Sequence, residues 1–128
     1  MSIQPTKRAG LLFLSKSSGR ILLILENGKW TLPTFVREHH LLDDASVLME
    51  RYSIGKLVPI ELYLSQDKGF EYGTYVCLVE HEFLTMSSKT ISWCDIDYLP
   101  HHLHSGLKVT LNNSYIRTKI ETILELAN

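Results

Sequence analysis

Two short apolar runs near the front of the chain, Ala9–Ser15 (AGLLFLS) and Arg20–Glu26 (RILLILE), most constrain what it can fold into. Their apolar residues follow one another instead of alternating with polar ones. That is the pattern of strands covered on both faces. Only Lys16-Ser17-Ser18-Gly19 separates them, a length and composition that suits a hairpin turn. A chain of 128 residues, 45% apolar and 21% charged, can cover such strands with one core, so a single domain over 1–128 is expected.

Asn27-Gly28 marks a second tight turn, followed by a strand at Lys29-Trp30-Thr31-Leu32. Pro33 ends that strand, and residues 34–41 read as a polar loop. Asp43 has the chemistry of a helix N-cap. Ala45, Leu48, Met49 and Tyr52 then fall at i, i+3, i+4 and i+7, which puts them on one helical face, and Gly55 sits where a left-handed C-terminal residue belongs. Residues 57–66 and 72–80 read as strands around an Asp67-Lys68-Gly69 turn, and 90–94 as one more short strand. Asp95 and Asp97 suit a turn before Leu99-Pro100. Asn112 or Asn113 can cap a last helix whose apolar face is Ile116, Ile120, Ile123 and Leu124. Strands, helix, strands, helix in that order predict an α+β fold with a mixed sheet between helices.

Charge excludes some partners. With 13 basic and 14 acidic residues the net charge is −1, which leaves no electrostatic footprint for nucleic acid or an anionic membrane. The first ten residues, MSIQPTKRAG, lack the apolar run of a signal peptide, and no 18-residue apolar run follows, so a cytoplasmic location is the default expectation. Cys77 and Cys94 stand alone in strand-like contexts and read as reduced thiols.

The stretch Trp30–Gly55, WTLPTFVREHHLLDDASVLMERYSIG, resembles the Nudix box of the MutT-like hydrolases. That signature is G-x5-E-x7-R-E-U-x-E-E-x-G-U, with U a bulky aliphatic residue, and it usually follows W-x-L-P-G-G. Here Trp30, Leu32, Pro33, Ala45 and Gly55 match, while Thr34 and Phe35 replace the two glycines. Counting back from Gly55, Leu48-Met49 occupy the Arg-Glu pair and Tyr52-Ser53 the paired glutamates. The upstream glutamate falls on Leu41 or His40. The likeness continues outside the box through Ala9-Gly10, the strand pairs, Trp93 to Leu99-Pro100 and the closing helix, and covers residues of about 8–126. The resemblance implies a Nudix-like α/β/α sandwich. In that family, clustered glutamates hold Mg²⁺ or Mn²⁺, hard cations that need oxygen ligands, and the metals activate water against a diphosphate bond. Met49 and Tyr52 cannot act as such ligands, and Ser53 is a weak neutral one.

The expectation is therefore a Nudix-like domain without the family's catalytic residues and with no metal or cofactor. It binds a nucleotide-like or phosphorylated ligand, or a protein partner, through the former active-site cleft. Candidate binding residues are Arg37, His39 and His40 in the loop bordering that cleft, with Met49, Tyr52 and Ser53 from the helix. The ordinary reading of that loop is a solvated connection, and of the helical residues a core stripe. The alternative is an active Mg- or Mn-dependent hydrolase with relocated acids, for which Glu38, Glu50, Glu80 and Glu82 are the candidates. His101, His102 and His104 place three imidazoles in four residues, a pattern open to a transition metal but more ordinary as a surface loop.

Overall fold

A computed structural model of the chain describes residues 6–36, 60–67, 69–84 and 89–127. The helix expected after Asp43 lies outside them, as do Arg37, Glu38, His39, His40, Met49, Glu50, Tyr52 and Ser53.

The strands are β1 (Thr6–Ser15), β2 (Ile21–Glu26), β3 (Lys29–Thr31), β4 (Thr34–Val36), β5 (Ile60–Asp67), β6 (Phe70–Val79) and β7 (Ile91–Cys94). Two helices follow, α1 (Ser105–Asn112) and α2 (Ser114–Ala127). The strands make one mixed sheet. β1 runs parallel to β6 from Thr6↔Phe70 to Ser15↔Val79, and the other pairs are antiparallel.

β1 is the axis of this sheet. Along β1 and β6, Ala9, Leu11, Phe13, Tyr75, Cys77 and Val79 pack on one face with Leu22 of β2. Leu12, Leu14 and Val76 pack on the other with Ile21 and Leu23. Both faces of β1 and β2 are buried, as the unbroken apolar runs require. α1 and α2 cover the second face with Leu107, Leu111, Ile116 and Ile120. The first face meets Phe83, Ile91 and Trp93, where Phe83 stands edge-on to both Phe13 and Trp93 at centroid distances of 5.5 and 5.2 Å.

β1 and β2 touch only at Leu14↔Ile21 and then diverge. The chain through β3 and β4 fills the fork. β3 pairs β2, β4 pairs β1, and between them the Pro33 carbonyl accepts a 2.9 Å bond from the Leu11 N–H. Here the structure corrects the sequence reading. Residues 34–36, expected as the start of a polar loop, are a strand, because Pro33 gives up a donor but not an acceptor and Thr-Phe-Val is good strand sequence.

A second correction is α1, which no helix was expected to occupy. Its signal is small: Leu107 and Leu111 at i, i+4 are its buried residues. Asn113 ends α1 and caps α2, its side-chain oxygen accepting from the Tyr115 and Ile116 N–H groups at 2.9 and 3.3 Å. Arg117 then fastens three elements by donating to the Leu111 and Ile96 carbonyls and to the Asp97 carboxylate. At the β5 side of the sheet, Leu62 sits in a bulge between Glu61 and Tyr63, and Lys119 of α2 donates to its carbonyl at 3.3 Å.

These packing relations set an order of sensitivity. Leu12→Ala is expected to lower unfolding free energy by about 2–5 kcal/mol through transfer and cavity costs. Asn113→Ala is expected to cost about 1 kcal/mol through the lost cap. Urea midpoints of the two variants against the parent measure both.

Candidate functional site

The fork places a cavity of about 870 Å³ on the sheet face that carries the helices. Its floor is Arg8 of β1, Tyr72 and Thr74 of β6 and Ser65 of β5. Thr31, Leu32 and Thr34 wall one side, and Gly106, Leu107 and Thr110 of α1 another. Glu26, Asn27 and Lys29, from the β2–β3 turn, complete the rim. That turn is built by Asn27 and Gly28, both at positive φ (51° and 74°) as the Asn-Gly signal requires.

Two local devices hold the walls together. The first is the histidine segment. The Trp30 N–H donates to the His102 carbonyl at 2.9 Å, and the His104 N–H donates to the Trp30 carbonyl at 2.8 Å. Residues 102–104 thus form a stub of strand beside β3. His104 then caps α1, its Nδ1 accepting from the Gly106 N–H at 3.2 Å. His101, His102 and His104 are exposed, and no group of three or more His, Cys, Asp or Glu suited to a metal occurs among the described residues. The histidine run joins the Trp-Thr-Leu-Pro segment to α1, and that joint was not legible as such in its spacing.

The second device is the close approach of Gly10 and Tyr72. In the parallel register Gly10 lies beside Thr74 and Arg8 beside Tyr72, so Tyr72 is a diagonal neighbour of Gly10. Its hydroxyl end reaches the glycine. A Cβ on Gly10 would collide with the phenol oxygen and come within 3.2 Å of the ring carbon bearing it. Burial raises the Tyr72 hydroxyl above the ordinary phenol value, against an opposing pull from the Arg8 charge. The phenol is therefore neutral and able to donate at physiological pH.

Thr74 is only 2% exposed. It and Ser15 are the buried polar residues among those described. The Ser15 hydroxyl bonds to Ser17 and accepts from the Ser18 N–H. The Thr74 hydroxyl has no hydrogen-bond partner among the described residues, although it lines the cavity. Buried hydroxyls without partners are uncommon and ask for an explanation.

The two described acidic candidates are placed elsewhere. Glu80 and Glu82 follow the end of β6, beside the β1–β2 turn, while the cavity opens at the start of the same strand. From Tyr72 to Glu80 the strand spans about 26 Å at roughly 3.3 Å per residue. Glu80 lies 3.7 Å from Lys16, and Glu82 accepts two 2.6 Å bonds from Arg20. The Arg20 guanidinium holds the Glu82 carboxyl below the usual carboxylate range. On the opposite sheet face Cys77 is buried, and desolvation pushes its thiol up to about 12, which keeps it protonated and unreactive at neutral pH.

Among the described residues, the cavity lining holds no donor set suited to the metal that the Nudix signature implies. The described lining offers hydroxyls, one imidazole and a single carboxylate, Glu26, which is ion-paired with Lys89. That set does not suit a hard divalent cation.

No protein-family model matches the sequence, and no curated protein matches it. Solved structures match by fold. A MutT Nudix hydrolase from Burkholderia pseudomallei aligns over 87% of this chain and 98% of its own, with 24% identity and a TM-score of 0.59. A Nudix hydrolase from M. smegmatis covers 94% and 88%, with 15% identity and a TM-score of 0.67. A MutT protein from Methanosarcina mazei covers 93% and 99%, with 17% identity and a TM-score of 0.65. The chain has the Nudix-like α+β fold that the Trp30–Gly55 frame and its flanking strands imply.

The Tyr72 phenol gives a pH signature. Because its folded-state value is raised, its contribution to stability is whole below the ordinary value of about 10 and is lost as pH rises towards the raised value. Tyr72→Phe is expected to flatten the alkaline fall in the urea midpoint above the ordinary phenol value of about pH 10 relative to the parent.

Proposed function

We propose that this Nudix-like domain binds a nucleotide-like or phosphorylated small molecule in the cavity between the sheet and α1, without the metal-dependent hydrolysis associated with the Nudix signature. The observation that carries the reading is the cavity's lining. Arg8 is exposed at its floor, with no carboxylate ion-paired to it among the described residues, and Thr31, Thr34, Ser65, Thr74 and Thr110 surround it with hydroxyls. A guanidinium with neutral hydrogen-bonding groups suits a phosphate ester directly, with no cation between protein and anion.

The sequence points the same way. Met49, Tyr52 and Ser53 stand at the signature's glutamate positions, so the sequence after Asp43 lacks the carboxylates by which that signature holds Mg²⁺ or Mn²⁺. Arg37, His39 and His40 follow β4 in sequence, β4 contributes Thr34 to the cavity, and these three are counted among the binding residues on their chemistry alone. Thus the proposal includes no catalytic residue and no cofactor. A cytoplasmic location accords with it, and no described helix is long and apolar enough to cross a membrane.

An active hydrolase with relocated acids draws on the printed activities of fold neighbours, which include an ADP-ribose pyrophosphatase from Streptococcus suis. Glu82 is committed to Arg20, and Glu80 lies with it at the far end of β6 from the cavity, which weighs against that reading.

Calorimetry with AMP, ADP, ATP and ADP-ribose, each with Mg²⁺ and with EDTA, tests the proposal. Saturable binding indifferent to EDTA is expected, with no release of phosphate, pyrophosphate or nucleoside monophosphate. Arg8→Ala is expected to weaken binding by about 10–100-fold, the scale of one lost charged hydrogen bond. Metal-dependent turnover abolished by EDTA would overturn it. Failure of every nucleotide to bind or to raise the melting temperature would transfer the site to a protein partner.

A further inference from the structure

The cavity floor changes chemistry with depth, and the strand ladders set the steps. The outer row is Arg8 beside Tyr72, with Ser65 next to it on β5. The row inward of it is Thr34, Gly10 and Thr74, and both threonines line the cavity. One row deeper, Leu12 and Val76 are fully buried. From Arg8 to Leu12 the floor thus passes from a cation, through hydroxyls, to hydrocarbon over about 13 Å at roughly 3.3 Å per residue.

Thr74 stands apart in this series. It is 2% exposed, and its hydroxyl has no hydrogen-bond partner among the described residues. The desolvation of that hydroxyl is offset by nothing in the described fold, and a ligand group that reached it would supply the missing bond. The surroundings also fix the charge of such a group. An anion at Thr74 would be desolvated against Leu12 and Val76, with no cation in its own row. At the outer row the exposed Arg8 offers a phosphate both a guanidinium and water.

We infer that Thr74 is a specificity-determining residue that hydrogen-bonds a neutral alcohol group of the ligand, and that the ligand lies with this end deepest and its phosphate held at Arg8. The inference rests on the small-ligand reading above. It adds the ligand's orientation and its class, a phosphate monoester of a polyhydroxy compound. Sites that hydrogen-bond a ligand's hydroxyl discriminate strongly against analogues lacking it, because the buried protein group is then left unpaired.

Calorimetry in EDTA with ribose 5-phosphate and n-pentyl phosphate tests this, with AMP as a third probe. The first two carry a phosphate ester on five carbons, and n-pentyl phosphate has no hydroxyl. The parent is expected to bind ribose 5-phosphate at least tenfold more tightly. Thr74→Val is expected to weaken ribose 5-phosphate about tenfold, to leave n-pentyl phosphate unchanged, and to preserve or raise the melting temperature. Thr74→Ser, which keeps a hydroxyl, is expected to retain most of the preference. Arg8→Ala is expected to weaken both probes by the same factor, since the phosphate is common to them.

A preference that survives Thr74→Val, or that Thr74→Ser loses as fully as Thr74→Val, would overturn the inference and leave the binding reading intact. A lower melting temperature in Thr74→Val would do the same, because the hydroxyl would then be bonded within the fold. Equal affinity of the parent for the two esters, or binding of AMP without ribose 5-phosphate, would also overturn the inference alone. Binding of none of the three probes would overturn both readings.

Discussion

The parallel ladder between β1 and β6 is the constraint from which the rest of the structure follows. It runs unbroken from Thr6↔Phe70 to Ser15↔Val79 and places apolar side chains on both faces. With both faces of its central stretch apolar, the register of β1 is held by the fit of side chains packed on each face and not by alternation of polar and apolar residues. With β1 fixed, the Lys16–Gly19 turn sends β2 back along it, yet β2 meets it only at Leu14↔Ile21. The open backbone groups of the diverging strands then demand partners, and the segment from β3 through Pro33 to β4 supplies them. The cavity is a consequence of this fork. Thr31, Leu32 and Thr34 line it because their backbone fills the gap between two strands that have separated.

Much of this was legible in the chain. The unbroken runs at Ala9–Ser15 and Arg20–Glu26 correctly indicated doubly covered strands and Asn27-Gly28 the tight turn, and of the two cap candidates Asn112 and Asn113 it is Asn113 that caps the last helix. The failures have physical causes. Thr34–Val36 looked like a loop because proline usually ends a strand, whereas here the Pro33 carbonyl continues the contact with β1. α1 was missed because eight residues with Leu107 and Leu111 as the buried pair give too short a period to read. The role of His104 as a cap depends on Nδ1 reaching the Gly106 N–H, and nothing in a run of histidines announces that.

The candidate site was less legible than the fold, for a related reason. Motif reasoning finds sites whose chemistry requires a fixed spacing, and a metal cluster on one helix is such a site. Gly10 has no motif spacing to Tyr72 and Thr74, since pairing of two strands some sixty residues apart brings it beside them. In the sequence, Thr74 reads as an ordinary strand threonine. Only the three-dimensional structure reveals that its hydroxyl is buried against the cavity without a described partner, while the other buried hydroxyl, that of Ser15, is satisfied by its own turn.

That contrast bears on how a fold can outlast the chemistry most associated with it. The sheet and its fork are maintained by apolar burial and backbone bonding, which involve none of the signature's glutamates. β1, β6 and the Pro33 contact are built from residues outside the signature's glutamate positions, where this sequence has Met49, Tyr52 and Ser53. Arg8, Tyr72 and Thr74, which line the cavity, sit on the two strands at the centre of the core, and the ladder between those strands fixes their backbone positions. The geometry of the sheet and the chemistry of the signature thus rest on different residues.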